Sequence, residues 1–284
     1  MNAETWKSKG QLIRVQNQSI FVIDTGGDKE VLTILHGYPT STYDYYKVLA
    51  TLSEKYRVIL HDHLGFGFSD KPLNYSYSLI EQADIALSVW KKLNIKECIL
   101  LAHDYGTSIA TEIIARKNRS QINISIKKLI LCNGSMHIEL AKLRPIQNLL
   151  RNKLTGKIVA KIANQSIFNR NIKKIYFDNS KISKTELDTM WFQLEYNDGR
   201  NVIHLLSNYI NERYLFWHRW IGALTETKVP TKIIWATHDP IAVKAIAIQL
   251  SKEIKNNKLM WLENTGHFPM LESYKEWSHL VINA

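Results

Sequence analysis

Ala102-His103-Asp104-Tyr105-Gly106 lies where a hydrophobic run, Cys98-Ile99-Leu100-Leu101, gives way to a helix-like stretch from Ser108 to Ala115. Small, any, nucleophile, any, Gly is the pattern of a strand-to-helix elbow. Small side chains at 102 and 106 let strand and helix approach closely, and the middle side chain is thrust into a cleft. A chain carrying this elbow must build a sheet with helices packed back upon it. The central side chain here is a carboxylate rather than the usual hydroxyl, and that swap decides which kind of carbon it attacks.

Around the elbow the chain alternates short apolar runs with helical stretches. Gln11 to Thr25 alternates apolar and polar residues about Asn17-Gln18, as a β-hairpin does. Val31–Leu35, Val58–Leu60, Leu129–Cys132, Ile233–Ala236 and Lys258–Trp261 read as buried strands. Helices are expected near Tyr43–Ser53, Leu79–Leu93 and from Tyr274. Such alternation predicts an α/β fold with a mostly parallel, doubly wound sheet. From Met136 to Thr227 the pattern is helical throughout. We therefore expect two core segments, 1–135 and 228–284, and a helical cap, 136–227, over the carboxyl ends of the strands, where open α/β sheets bind ligands.

With 284 residues, 45% of them hydrophobic, the chain can bury a large core as one large domain or two smaller ones. It has no uncharged apolar run of about 18 residues, so no membrane span is read, and residues 1–7 lack an apolar signal-peptide core. Cys98 and Cys132 both sit in strand-like runs, as packing thiols of a reducing compartment do, and a cytoplasmic location is expected. The formal charge is +11, with Lys and Arg dense between Lys142 and Lys181. Such a basic surface could attract nucleic acid or an anionic membrane. Without zinc-finger spacing or RNA-binding aromatics, no nucleic-acid partner is expected, and the first reading is a solvated lysine-rich face on helices.

An elbow nucleophile needs a base, an acid to orient the base, and donors for an oxyanion, in the chain order nucleophile, acid, His. Gly266-His267-Phe268-Pro269 follows the last strand, and Asp239 follows the strand ending at Ala236. Asn133, after the strand before the cap, holds the other position available to the acid, but an amide carries no charge, so Asp239 is preferred. His36-Gly37-Tyr38-Pro39 would supply the Tyr38 N–H to an oxyanion hole, and Tyr105 the second N–H. His36 and His103 are read as pocket groups, or as supports for the reacting residues, beside the elbow. His61-Asp62-His63 has metal-like spacing, yet no further ligand cluster stands out, so neither a metal nor any other cofactor is expected.

A carboxylate, with an ordinary pKa of about 3.9, is ionised at neutral pH without help. Attack on a saturated carbon leaves an ester that activated water cleaves, whereas serine would leave an inert ether. The chemistry expected is therefore displacement at an sp³ carbon of a small apolar substrate. A departing halide needs neutral N–H donors in a dry pocket; an opening epoxide needs a hydrogen bond or a proton at oxygen, which phenols supply. Tyr105 beside the nucleophile and the cap tyrosines Tyr176, Tyr196, Tyr209 and Tyr214 favour the epoxide.

The chain resembles the epoxide hydrolase and haloalkane dehalogenase branch of the α/β-hydrolases, and within it the mesoderm-specific transcript-like proteins. The resemblance rests on His36–Ser41, Leu64–Pro72, His103–Gly106, Asn197–Gly199, Asn208–Arg213 and Arg219–Leu224. It implies the α/β-hydrolase fold, an eight-stranded mostly parallel sheet with a helical cap, and an Asp104–His267–Asp239 triad. It also implies an essential cap tyrosine, matched by Tyr209, with Tyr176 as a second candidate. Trp is commoner than Tyr at position 105 in both enzyme groups, and relatives that defluorinate small carboxylates carry Arg there. The expected activity is epoxide hydrolysis by a monomer or homodimer. Haloalkane dehalogenation, or a non-catalytic binding protein on the same fold, are the alternatives.

Overall fold

The computed structural model describes residues 1–283. Eight strands form one sheet: β1 (Gln11–Val15), β2 (Gln18–Asp24), β3 (Val31–Leu35), β4 (Arg57–His61), β5 (Glu97–His103), β6 (Ser125–Cys132), β7 (Thr231–Ala236) and β8 (Asn257–Leu262). Their order is β1-β2-β4-β3-β5-β6-β7-β8. The two pairings that involve β2 are antiparallel, and from β4 to β8 every pairing is parallel. The central strands are sandwiched by helices and buried on both faces, which is why they read as continuous apolar runs rather than as alternation. The first turn sits at Gln16-Asn17, one residue earlier than the alternation suggested, because both residues take the left-handed conformation of a tight hairpin.

Between β6 and β7 the described residues form helices and 3-10 turns only, with longer members Gln165–Lys173, Lys184–Glu195 and Trp217–Glu226. This helical layer is tied to the core by buried carboxylates. Glu112, on the elbow helix Tyr105–Asn118, accepts both Arg219 Nε (2.7 Å) and Arg219 Nη2 (2.9 Å), together with Trp220 Nε1 (2.9 Å). Arg116 Nε closes the cluster at 2.9 Å. Truncating so buried an acceptor would strand several donors, which typically costs a few kcal/mol. On the opposite side, Glu272 accepts from the N–H groups of Asp178 (2.7 Å) and Gly266 (2.7 Å), joining the helical layer to the loop that carries His267.

Candidate active site

β5 ends at His103, and the elbow helix begins at Tyr105. Asp104 between them has φ 43° and ψ −108°, a strained conformation for a residue with a Cβ. The strain is held by packing behind it. A Cβ on Gly106 would lie 2.3 Å from the Leu35 carbonyl oxygen, so only glycine lets the helix settle on β3. The Gly106 N–H donates to the His36 carbonyl at 3.0 Å, and Thr107 Oγ1 donates to the Asp104 carbonyl at 2.5 Å.

The Tyr38 N–H donates to Asp104 Oδ2 at 2.9 Å. Tyr105, as the first helical residue, has an N–H that no carbonyl of its own helix can accept. His267 Nε2 stands 3.9 Å from Asp104 Oδ2, and its Nδ1 meets Asp239 Oδ2 at 2.7 Å. Asp239 Oδ1 accepts from the N–H groups of Ile241 (2.7 Å) and Ala242 (3.0 Å). Asn133 Nδ2 donates to Asp239 Oδ2 at 2.8 Å, while Asn133 Oδ1 accepts the Ala236 N–H at 3.0 Å. Asn133 is thus the carboxylate's support, locked in a left-handed conformation at the end of β6.

Arg213 was not among the residues nominated from the sequence. Wholly buried, it donates from Nη2 to the Asp104 carbonyl (2.9 Å) and from Nε to Ser108 Oγ (2.8 Å), with Nη2 3.9 Å from Asp104 Oδ1. The cue was its place in the Asn208–Arg213 motif, but spacing could not show that the guanidinium reaches the elbow. Burial would raise the Asp104 carboxyl, yet His267 and Arg213 outweigh it and hold it well below the usual carboxylate range. Burial would likewise lower the His267 imidazolium, but Asp239 and Asp104 prevail and push it up to about 10. Each group favours the charged form of the other, in the direction of a carboxylate beside an imidazolium.

His36 bonds the loop that carries Tyr38, and His103 the loop that carries His267. His36 Nδ1 lies 2.8 Å from the Gly37 carbonyl, and Nε2 accepts the His63 N–H at 3.0 Å. His103 Nε2 bonds the His267 carbonyl at 2.8 Å. Desolvation lowers both imidazoles, to about 3 and about 4, so they are neutral props for these loops. In the His61-Asp62-His63 run, Asp62 spends its oxygens on Thr42 and on the Phe68 N–H. Among the described residues no group of three or more His, Cys, Asp or Glu is arranged to hold a metal.

The two nominated cap tyrosines differ. The Tyr209 ring packs on Tyr38 and Tyr105, each centroid 5.3 Å away, with the Arg213 guanidinium 4.6 Å from its centroid. Its hydroxyl accepts from Gln147 Nε2 at 3.1 Å, and its own proton has no acceptor among the described residues. Burial, with the Asp104 charge, keeps that phenol protonated. Tyr176 lies against Phe268, beside the His267 loop, and its buried hydroxyl has no partner among the described residues. A cavity of about 110 Å³, almost wholly apolar, runs from Tyr38 and Pro39 past Gln147, Leu150, Phe168 and Trp191. His36 and His103 do not line it, and neither do Asp104 and His267; it touches the site at Tyr38.

A doubly wound sheet with an elbow carboxylate facing a His–Asp pair defines a hydrolase site of the α/β type. The model of the alpha/beta hydrolase fold family matches residues 30–274, and the chain belongs to that family. The mesoderm-specific transcript protein of Mus musculus is 34% identical over 279 residues, covering 94% of this chain and 83% of its own. Among solved structures, a loop variant of haloalkane dehalogenase DbeA from Bradyrhizobium elkanii superposes with a TM-score of 0.80 at 20% identity, covering 96% and 95% of the two chains. The epoxide hydrolase CorEH superposes with a TM-score of 0.79 at 17% identity, covering 96% and 97%. Backbone likeness of this kind speaks to the fold and does not choose between the two chemistries.

Proposed function

We propose that this hydrolase opens epoxides through a covalent ester on Asp104. The observation that carries the reading is the elbow carboxylate, held by the Tyr38 N–H at 2.9 Å and faced by His267, which is itself backed by Asp239 at 2.7 Å. An Asp104 oxygen attacks an epoxide carbon and the ring C–O bond breaks. Tyr209 meets the ring oxygen with its free O–H, and the net proton comes from the His267 imidazolium. That proton loosens because ester formation removes the Asp104 charge that held it.

Neutral His267 then takes a proton from water, and hydroxide adds to the Asp104 ester carbonyl. The oxyanion rests on the N–H groups of Tyr38 and Tyr105. Collapse expels the diol alkoxide, which takes the proton of the newly formed Asp104 carboxyl. Carboxylate and imidazolium are restored. This proton balance favours an epoxide: one proton is needed at the opening oxygen and one is available. A halide leaves without a proton, so the imidazolium would first have to discharge to solvent before it could act as a base.

His267→Asn removes the base of the second half-reaction and also the proton source of the first. The opening oxygen must then take its proton from water, more slowly, while attack on a bromoalkane needs none. With either electrophile the ester should accumulate. Incubated with a styrene-oxide-type epoxide, this variant should gain the epoxide's mass on Asp104 by intact-mass measurement and peptide mapping. The unaltered enzyme should form diol, and should release no bromide from a brominated alkane. Bromide without diol overturns the epoxide in favour of the dehalogenase, and no adduct with either electrophile overturns the covalent mechanism.

A further inference from the structure

The basic stretch of the helical layer takes no part in this chemistry. Between Lys142 and Lys174 there are nine Lys and Arg and no Asp or Glu, so nearly all of the chain's +11 resides in 33 residues. Lys153, Lys157, Lys161, Arg170, Lys173 and Lys174 are exposed and form no ion pair among the described residues. Interleaved with them are bare aliphatics: Leu154 is 85% exposed, Ile162 65% and Ile158 62%. A face that only needed to stay solvated would carry Gln or Ser there, since large apolar side chains gathered on one exposed face mark a contact surface.

We propose that this face docks on an anionic lipid surface. Helix Gly156–Ile162 presents Lys157, Ile158, Lys161 and Ile162 outward, while Gly156 and Ala160 are buried beneath. Aliphatics beside lysines on one side of a helix are what an interfacial helix needs: apolar groups enter the acyl boundary and ammonium groups meet lipid phosphates and carboxylates. Lysine repulsion disfavours a second copy of the chain as occupant. The absence of base-stacking aromatics on this face disfavours nucleic acid. The docked face also adjoins the apolar cavity. Val159, Ala163 and Ile167 line that cavity, and Ile167 is 40% exposed on the outer surface as well. An apolar compound dissolved in a bilayer would thus reach the cavity without crossing water. The docking itself does not depend on the Asp104 reaction.

The test is flotation of the full chain with vesicles of phosphatidylcholine alone, or of phosphatidylcholine with about one-third phosphatidylserine, at physiological salt. The protein should float with the anionic vesicles and not with the neutral ones. Lys157→Glu/Lys161→Glu should weaken partitioning by about tenfold or more. Leu154→Ser/Ile158→Ser/Ile162→Ser should abolish flotation while leaving the thermal melting curve unchanged, since these side chains pack against little. Failure to float with any vesicle overturns the proposal. So does equal flotation with both kinds, tighter binding to a DNA duplex than to vesicles, or self-association that the triple serine variant removes.

Discussion

The sheet side and the helical side of the site are built on different terms. On the sheet side, the two site carboxylates are pinned by the backbone. Asp104 is forced to φ 43° by the close seat of Gly106 on β3, and Asp239 takes two backbone N–H donors besides Asn133 and His267. On the helical side, the Tyr209 proton and the Tyr176 hydroxyl are buried without acceptors, in layers joined by short helices. The difference teaches that geometry is over-determined at the sheet ends and left open in the helical layer; on the proposed reaction, bond making would fall to the first and selection of the leaving group to the second.

The strongest way to break this division is to remove one group from each side. Asp104→Ala should cut turnover of epoxide and bromoalkane alike, by roughly ten-thousand-fold or more. Tyr209→Phe should lower kcat on epoxides by about a hundredfold or more, because only an opening oxygen needs the phenol's hydrogen bond. Steady-state kinetics on both substrates reads the contrast. Equal losses from Tyr209→Phe on the two would place the phenol in packing and erase the distinction.

A subtler probe lies within the sheet side. Asn133→Ala removes the Nδ2 donor from Asp239 and the acceptor from the Ala236 N–H. Misplacing the His267 orienter should lower kcat by about tenfold to a hundredfold with little change in KM. Asn133→Asp restores the acceptor but sets two carboxylates side by side, and should not rescue activity at neutral pH.

The smallest effect expected is on stability. His267 is raised from an ordinary value near 6.5 to about 10 by its two carboxylates. Between those values the folded chain binds a proton that the unfolded chain has lost. The contribution is therefore full below about pH 6.5 and is lost as pH climbs toward 10. Thermal unfolding should show Tm falling by roughly a few degrees from pH 7 to pH 10, with a shallower slope in His267→Gln. An unchanged slope in that variant would mean that other groups set the alkaline limit.

Much of this molecule was legible because its signals are local. The elbow is five consecutive residues, and its steric demand for small neighbours shows in their identities. The central strands announced a parallel sheet by being apolar on both faces. The Asp62 loop and the Arg219-Trp220 pair were visible only as motifs. Their reasons, acceptance of the Phe68 N–H and donation to Glu112, needed partners found only after folding. Arg213 lies 109 positions from the carbonyl it grips, and nothing in helical spacing says which side of a short helix faces the elbow. His36 and His103, named beside the elbow, do not line the cavity; His36 is spent on the Gly37 carbonyl and the His63 N–H, and His103 bonds the carbonyl of His267.

By itself, then, the sequence determined the fold class and the presence of a carboxylate where a hydrolase elbow holds its nucleophile, since both follow from chain-neighbour sterics and residue chemistry. The tertiary structure alone decided the opposite pKa shifts of Asp104 and His267, the arrival of Arg213 and the open donors of the helical layer. Each of these depends on burial and on through-space partners, and the Coulomb and desolvation energies that set them exist only once distant segments have met.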